Sequence, residues 1–134
     1  MLLDGERMPQ SSRKTASSAL SHLRVTLTDD FYLGPGRADL MELIAETGSI
    51  AAAGKRMGMS YKRAWSLVQA LNDGFGKPLI ETSRGGAAQG GAALTPLGAE
   101  VLRRYRQMQA ATRQAIAEDV AALTALITDM SQKK

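Results

Sequence analysis

The chain has no cysteine, one histidine, and only one Trp, three Tyr and two Phe among its 134 residues. The missing cysteines exclude a disulfide scaffold, a thiolate metal site and a cysteine nucleophile. The lone His22 excludes a His-pair metal motif and leaves little for histidine-based catalysis; it reads as a surface residue beside the first strand. No apolar run approaches the ~18 residues of a transmembrane helix. Residues 1–20 lack the continuous apolar stretch of a secretory signal, so a cytoplasmic protein without membrane association is expected.

At 44% hydrophobic residues the chain can nevertheless bury a core, and its length suits one domain, or one domain with an arm. The net charge of +4 is modest, so its distribution carries more information than its size. Lys55, Arg56, Lys62 and Arg63 cluster with no acidic residue between them. Such a cluster suits phosphate, and it equally suits a solvated helix face.

Residues 1–20 have no apolar periodicity and read as a mobile arm. Residues 23–28 alternate apolar and polar, which predicts a strand, and Gly34-Pro35-Gly36 is expected to break the chain. Leu40, Leu43 and Ile44 share one face of a helix predicted at 37–47, stopped by Gly48. Ser49 can cap a second helix running to about Met57, and Ser60 a third that ends near Gly74–Gly76. Residues 79–83 and 92–94 read as two strands of a hairpin around the glycine-rich tip 84–91. Thr95-Pro96 then opens a long helix. Its stripe of Leu97, Val101, Tyr105, Met108, Thr112, Ile116, Val120, Leu123, Ile127 and Met130 exceeds what a core of this size needs. Part of that stripe is expected to pack on a second subunit.

Helix, short helix, Gly-containing turn, helix and Gly-rich hairpin follow the order of a winged helix-turn-helix. The fold expected is therefore mostly α with a small β-hairpin, followed by a long C-terminal dimerisation helix. Its divisions are an arm at 1–20, a DNA-binding domain at 21–95 and the dimerisation helix at 96–134. In the turn Gly58-Met59-Ser60, Gly58 supplies an unusual backbone angle, Met59 plugs the core, and Ala53 and Gly54 let the helices touch. The third helix can put its first turns into a major groove about 12 Å wide, its N-terminus suiting phosphate. The candidate DNA-binding residues are Ser49, Lys55, Arg56, Ser60, Tyr61, Lys62, Arg63, Ser66, Arg84 and Gln89.

These segments carry a resemblance. Thr47-Gly48-Ser49-Ile50, Gly58-Met59-Ser60-Tyr61-Lys62-Arg63-Ala64-Trp65, and Gly85-Gly86 through Gly90-Gly91-Ala92-Ala93-Leu94-Thr95 resemble the N-terminal domain of the ModE family. These are molybdate-responsive transcription regulators whose DNA-binding domain is similar to that of LysR-type regulators. The resemblance covers roughly residues 23–108. It implies a dimeric winged-helix protein that binds a palindromic operator. No part of the chain is expected to correspond to the small molybdate-binding domains that follow in full-length members. Two positions depart from the family pattern: Gly54 stands where alanine is usual, and Thr82 stands where an arginine usually follows the strand glutamate.

Plainer readings stand beside these. Trp65 is expected as a core anchor rather than a base-stacking residue. Tyr61 either packs against the first strand or stands at the groove. Lys55 and Arg56 also suit the negative end of a helix dipole in any protein. The glycines at 85–91 lack the Gly-Lys-Ser/Thr ending of a P-loop, and Gly34-Pro35-Gly36 lacks the context of a dinucleotide site. Asp29-Asp30 and Glu118-Asp119 have no acid/base partner, since adjacent residues point apart. No cofactor and no enzyme activity are expected. The partners expected are double-stranded DNA and a second copy of the chain. The rival readings are a winged helix that binds proteins, and a regulator answering a small oxyanion such as molybdate through a partner.

Overall fold

The computed structural model describes residues 20, 22–84 and 90–132. Its elements are β1 (Val25–Thr28), β2 (Phe31–Leu33), α1 (Pro35–Thr47), α2 (Ile50–Arg56), α3 (Tyr61–Phe75), β3 (Ile80–Arg84), β4 (Gly90–Leu94) and α4 (Pro96–Gln132). Residues 22–107 form one compact unit, and α4 from Met108 onward belongs to a second. The first unit is a winged helix: three helices, a two-stranded antiparallel wing of β3 and β4, and the opening turns of α4.

Two differences from the sequence reading concern its N-terminal edge. Residues 31–33 form a second strand, paired antiparallel with β1 through Val25 opposite Leu33 and Thr26 opposite Tyr32. Three residues are too few for period-two patterning to register, and the pairing itself makes the strand. The break expected at Gly34-Pro35-Gly36 also narrows to Gly34 alone, between β2 and α1. Gly34 is extended at the N-cap, and Pro35 and Gly36 start α1. Proline is tolerated in the first turn because its missing N–H has no helical acceptor there.

The helical punctuation follows the sequence. Gly48 adopts φ +73° and its N–H donates to the Ile44 carbonyl at 2.8 Å, ending α1. Ser49 Oγ accepts the Ala52 N–H at 3.0 Å and starts α2. Gly58 turns the chain with φ +73°, where a side chain would be strained. The two helices then touch: a Cβ on Gly54 would lie 2.9 Å from Ala64 Cβ. Met59 lies against Gly54 but is only half-buried, so it fills the edge of this contact rather than its centre.

Leu40, Met41 and Ile44 of α1, Val68 and Leu71 of α3, and Leu79 before β3 are fully buried together with Tyr105 of α4. Polar side chains fix how the pieces join. Asn72 Nδ2 donates to the Ile80 carbonyl at 3.0 Å, and its Oδ1 accepts the Leu79 and Ile80 N–H groups at 2.8 and 3.1 Å. The Thr95 N–H donates to the Leu79 carbonyl at 3.0 Å, and Thr95 Oγ1 caps α4 by accepting the Gly98 N–H at 2.9 Å. The Ala92 N–H donates to the Gly48 carbonyl at 2.9 Å, tying the wing to the turn between α1 and α2. The Tyr105 hydroxyl donates to the Leu23 carbonyl at 2.7 Å, anchoring the approach to β1.

α4 reaches the wing through Gly98, where an added Cβ would sit 2.1 Å from the Leu79 carbonyl oxygen. Gly98→Ala is expected to cost about 3 kcal/mol by urea unfolding, because backbone rather than a side-chain tip must move. Gly36→Ala, with nothing within 4 Å of the new carbon, is expected to be neutral.

Burial pushes the Tyr105 phenol above its ordinary range; nearby Arg106 opposes the shift and Asp39 adds to it. A raised folded pKa means that above pH about 10 the unfolded chain loses its proton first. The stabilisation is thus complete below that pH and lost as the pH rises through the folded value. Tyr105→Phe is expected to cost about 1 kcal/mol at neutral pH. The same variant flattens the alkaline decline in stability, read from urea midpoints across that range.

Candidate nucleic-acid interface

α3 divides its residues cleanly. Ala64, Val68 and Leu71 are buried against the unit's interior, while Lys62, Arg63, Ser66 and Gln69 are exposed on the other face. Steps of three and four residues place each set on its own side of the helix. Ser60 is extended at the N-cap, and its Oγ accepts the Arg63 N–H at 3.1 Å. That cap orders the first turn and leaves its side chains pointing outward.

Tyr61 is 55% exposed, with its ring largely open to solvent beside the outer face of α3. Its hydroxyl accepts a hydrogen bond from Trp65 Nε1 at 2.6 Å. Trp65 is therefore half-buried rather than a core anchor: the indole N–H needs an acceptor, and Tyr61, one turn earlier, supplies it at the surface. The pair stiffens the turn that carries Lys62 and Arg63.

Charge is partitioned around this helix. No acidic residue lies in the first turn of α3, and Lys62 and Arg63 have no ion-pair partner among the described residues. Lys55 and Arg56 occupy the last turn of α2, exposed. Arg56 approaches Glu46 at 3.5 Å, but both side chains are more than half exposed, and such a pair contributes little in water. The other two α1 carboxylates are engaged elsewhere: Arg106 Nη2 lies 2.9 Å from Asp39 and 2.7 Å from Glu42. Partial burial disfavours the Arg106 charge, yet hydrogen bonds to these two carboxylates hold its pKa above the usual value. Glu100 is likewise occupied, its pKa lowered by hydrogen bonds from Arg103 and Arg104 at 2.7 Å.

The remaining candidates fall around α3. Ser49 caps α2 through its oxygen and keeps its hydroxyl proton free to donate. In the wing, Arg84 ends β3 opposite Gly90, and Gln89 lies outside the described residues. Sequence reading missed Arg24 and Arg37. Tyr32 brings them together, and the hairpin that positions Tyr32 was not legible past Thr28. Among the described residues no cluster of His, Asp and Glu could hold a metal ion, and no helix is long and apolar enough to cross a membrane.

Comparison with known proteins agrees with this geometry. Residues 38–99 match the family described as bacterial regulatory helix-turn-helix protein, lysR family. The chain is 42% identical over 78 residues to the molybdenum-pterin-binding protein MopB of Rhodobacter capsulatus, covering 58% of this chain and 29% of the relative. It is 43% identical over 70 residues to the molybdenum transport protein ModE of Herbaspirillum seropedicae, covering 52% and 26%. It is 35% identical over 83 residues to the DNA-binding transcriptional dual regulator ModE of Escherichia coli, covering 62% and 32%. The match thus spans about a third or less of each relative, in its N-terminal part. Pattern, fold and comparison converge on a helix-turn-helix of the LysR type at residues 38–99, in the part of the chain that is similar to the N-terminal part of the ModE and Mop relatives.

Proposed function

We propose that this chain is a sequence-specific DNA-binding transcription regulator of the ModE type, acting on a palindromic operator as a homodimer. The observation that carries the reading is the first half of α3. There Tyr61, Lys62, Arg63 and Ser66 are exposed on a helix whose opposite face is buried, with no carboxylate paired to Lys62 or Arg63 among the described residues. In this reading α3 enters the major groove, Lys62 and Arg63 meeting guanine edges or phosphate. Ser49, Lys55, Arg56 and Ser60 contact the flanking backbone, and the wing around Arg84 and Gln89 lies along it. The relatives named molybdenum-pterin-binding protein MopB and molybdenum transport protein ModE support a link to molybdenum, which for this chain is part of the proposal.

The homodimer rests on α4. Beyond Met108, Leu123, Leu126 and Ile127 are 62%, 57% and 67% exposed. With Ile116 and Val120 they continue a stripe at steps of three and four, the pattern of a helix packing on another. The 37 residues of α4 make a helix about 55 Å long. We read residues 96–134 as the dimerisation region and 21–95 as the DNA-binding domain; the arm expected at 1–20 lies, but for Leu20, outside the described residues. Two-fold symmetry then sets half-sites about one helical turn apart.

Fluorescence anisotropy with the chain's own upstream DNA and a scrambled duplex tests the reading. A preference of about 10³-fold or more that persists at higher salt is expected; equal, salt-sensitive binding to both would overturn it. Arg63→Ala is expected to cost about 1–3 kcal/mol on the preferred duplex and to relax specificity if Arg63 reads a base. A uniform loss with a shallower salt slope would make it a phosphate contact. Replacing Leu123 and Ile127 together by lysine is expected to convert a dimer to a monomer in light scattering, with helicity retained.

A further inference from the structure

A second basic feature lies in the first unit, formed by the β1–β2 hairpin and the N-terminal ends of α1 and α3. It is a cleft of about 370 Å³ whose walls include His22, Arg24, Tyr32, Arg37 and Arg63, with Gly34-Pro35-Gly36 along one side. The guanidinium carbon of Arg24 lies 3.7 Å from the centroid of the Tyr32 ring, and that of Arg37 lies 4.0 Å from it. Two planar cations that close to one ring cannot share a face, so they stack on opposite sides of it.

These arginines differ in their partners from four others. Arg56, Arg103, Arg104 and Arg106 each meet a carboxylate. No carboxylate of the described residues pairs with Arg24, Arg37 or Arg63, and none lines the cleft. Arg37 Nη1 donates to the Tyr32 carbonyl at 3.0 Å, while its Nε is buried without an acceptor. A buried donor without an acceptor costs free energy, so the Arg37 head is held with its hydrogen-bonding capacity only partly met within the fold.

Backbone donors add to the deficit. Gly34, the N-cap of α1, offers no side-chain cap, so the Gly36 and Arg37 N–H groups open the helix with no acceptor among the described residues. A Cβ on Gly36 would meet nothing within 4 Å, so this end of the helix is open to an incoming group. Helix dipole, free N–H groups and three guanidinium groups all favour the same ligand.

We propose that this cleft binds a tetrahedral oxyanion of the phosphate type. Arg37 and the first turn of α1 form its floor, and Arg24 and Arg63 its sides. Two sources share that chemistry: a phosphodiester of the DNA backbone, in which case the site deepens the function proposed above, and a free oxyanion. Arg63 joins the cleft to the exposed face of α3, so a strand lying along α3 brings its phosphates past this opening.

The test titrates the full chain with inorganic sulfate and phosphate at constant ionic strength, following the Gly36 and Arg37 amides by 1H–15N NMR. Arg24→Gln is compared, because Arg24 is exposed and its loss spares the core; Arg37→Gln is the second variant. Saturable shifts at these amides, weakened about tenfold in Arg24→Gln, are expected. Shifts that chloride reproduces, or no saturation in the native chain, would overturn the proposal. A DNA arm separates the sources. If the ligand is a phosphodiester, Arg24→Gln weakens all duplexes equally and lowers the slope of log K against log salt by about one. If it is a free anion, the variant loses the anion response and keeps the slope. The anion arm reads the site even if the chain proves to bind no DNA, so the two proposals fail separately.

Discussion

The peptide of Leu79 is the joint on which the winged helix depends. Its N–H is held by Asn72 of α3, and its carbonyl accepts the N–H of Thr95, the cap of α4. The Leu79 side chain is fully buried, and Gly98 brings the first turn of α4 against the same carbonyl. Three elements therefore share one short segment: α3, the wing and α4. Fixing that segment fixes where β3 starts, and through the ladder from Ile80–Leu94 to Arg84–Gly90 it fixes the wing. The Ala92 bond to Gly48 then seats the wing on the turn before α2.

The same economy of contacts shapes the electrostatics. Asp39 and Glu42 of α1 and Glu100 of α4 are occupied by Arg106, Arg103 and Arg104, while the cations of α3 and of the β1–β2 hairpin are left without carboxylates among the described residues. A net charge of +4 alone says little. Its meaning comes from this separation: a basic surface keeps its field when the nearby acids are already neutralised. Both proposed ligand sites, the face of α3 and the cleft beside it, draw on that separation and share Arg63.

Much of the fold was legible because its punctuation is local. Gly48, Ser49, Gly58, Ser60 and Thr95 act through backbone angles and caps that depend on a few neighbours, so they function as their types suggest. The strand at 31–33 was not legible, nor was the helical role of Pro35, because each is decided by a partner or by position rather than by pattern. Trp65 shows the same limit. Its size suggested the core, but the indole N–H is satisfied at the surface by Tyr61. The family resemblance read from the turn and the wing agrees with the matched domain at 38–99.

The sequence by itself determined the helix-turn-helix and its wing, since capping residues, glycines and apolar periodicity encode elements over short distances. It also determined which side of α3 is apolar, because a helix converts spacing into direction. Only the tertiary structure decided which cations would be left without acids. Arg24 and Arg37 meet across the Tyr32 ring because β1 and β2 pair, and Arg106 reaches Asp39 and Glu42 because the fold brings the opening turns of α4 beside α1. Charges are fixed by composition, but their pairing depends on distances that only the packed chain sets.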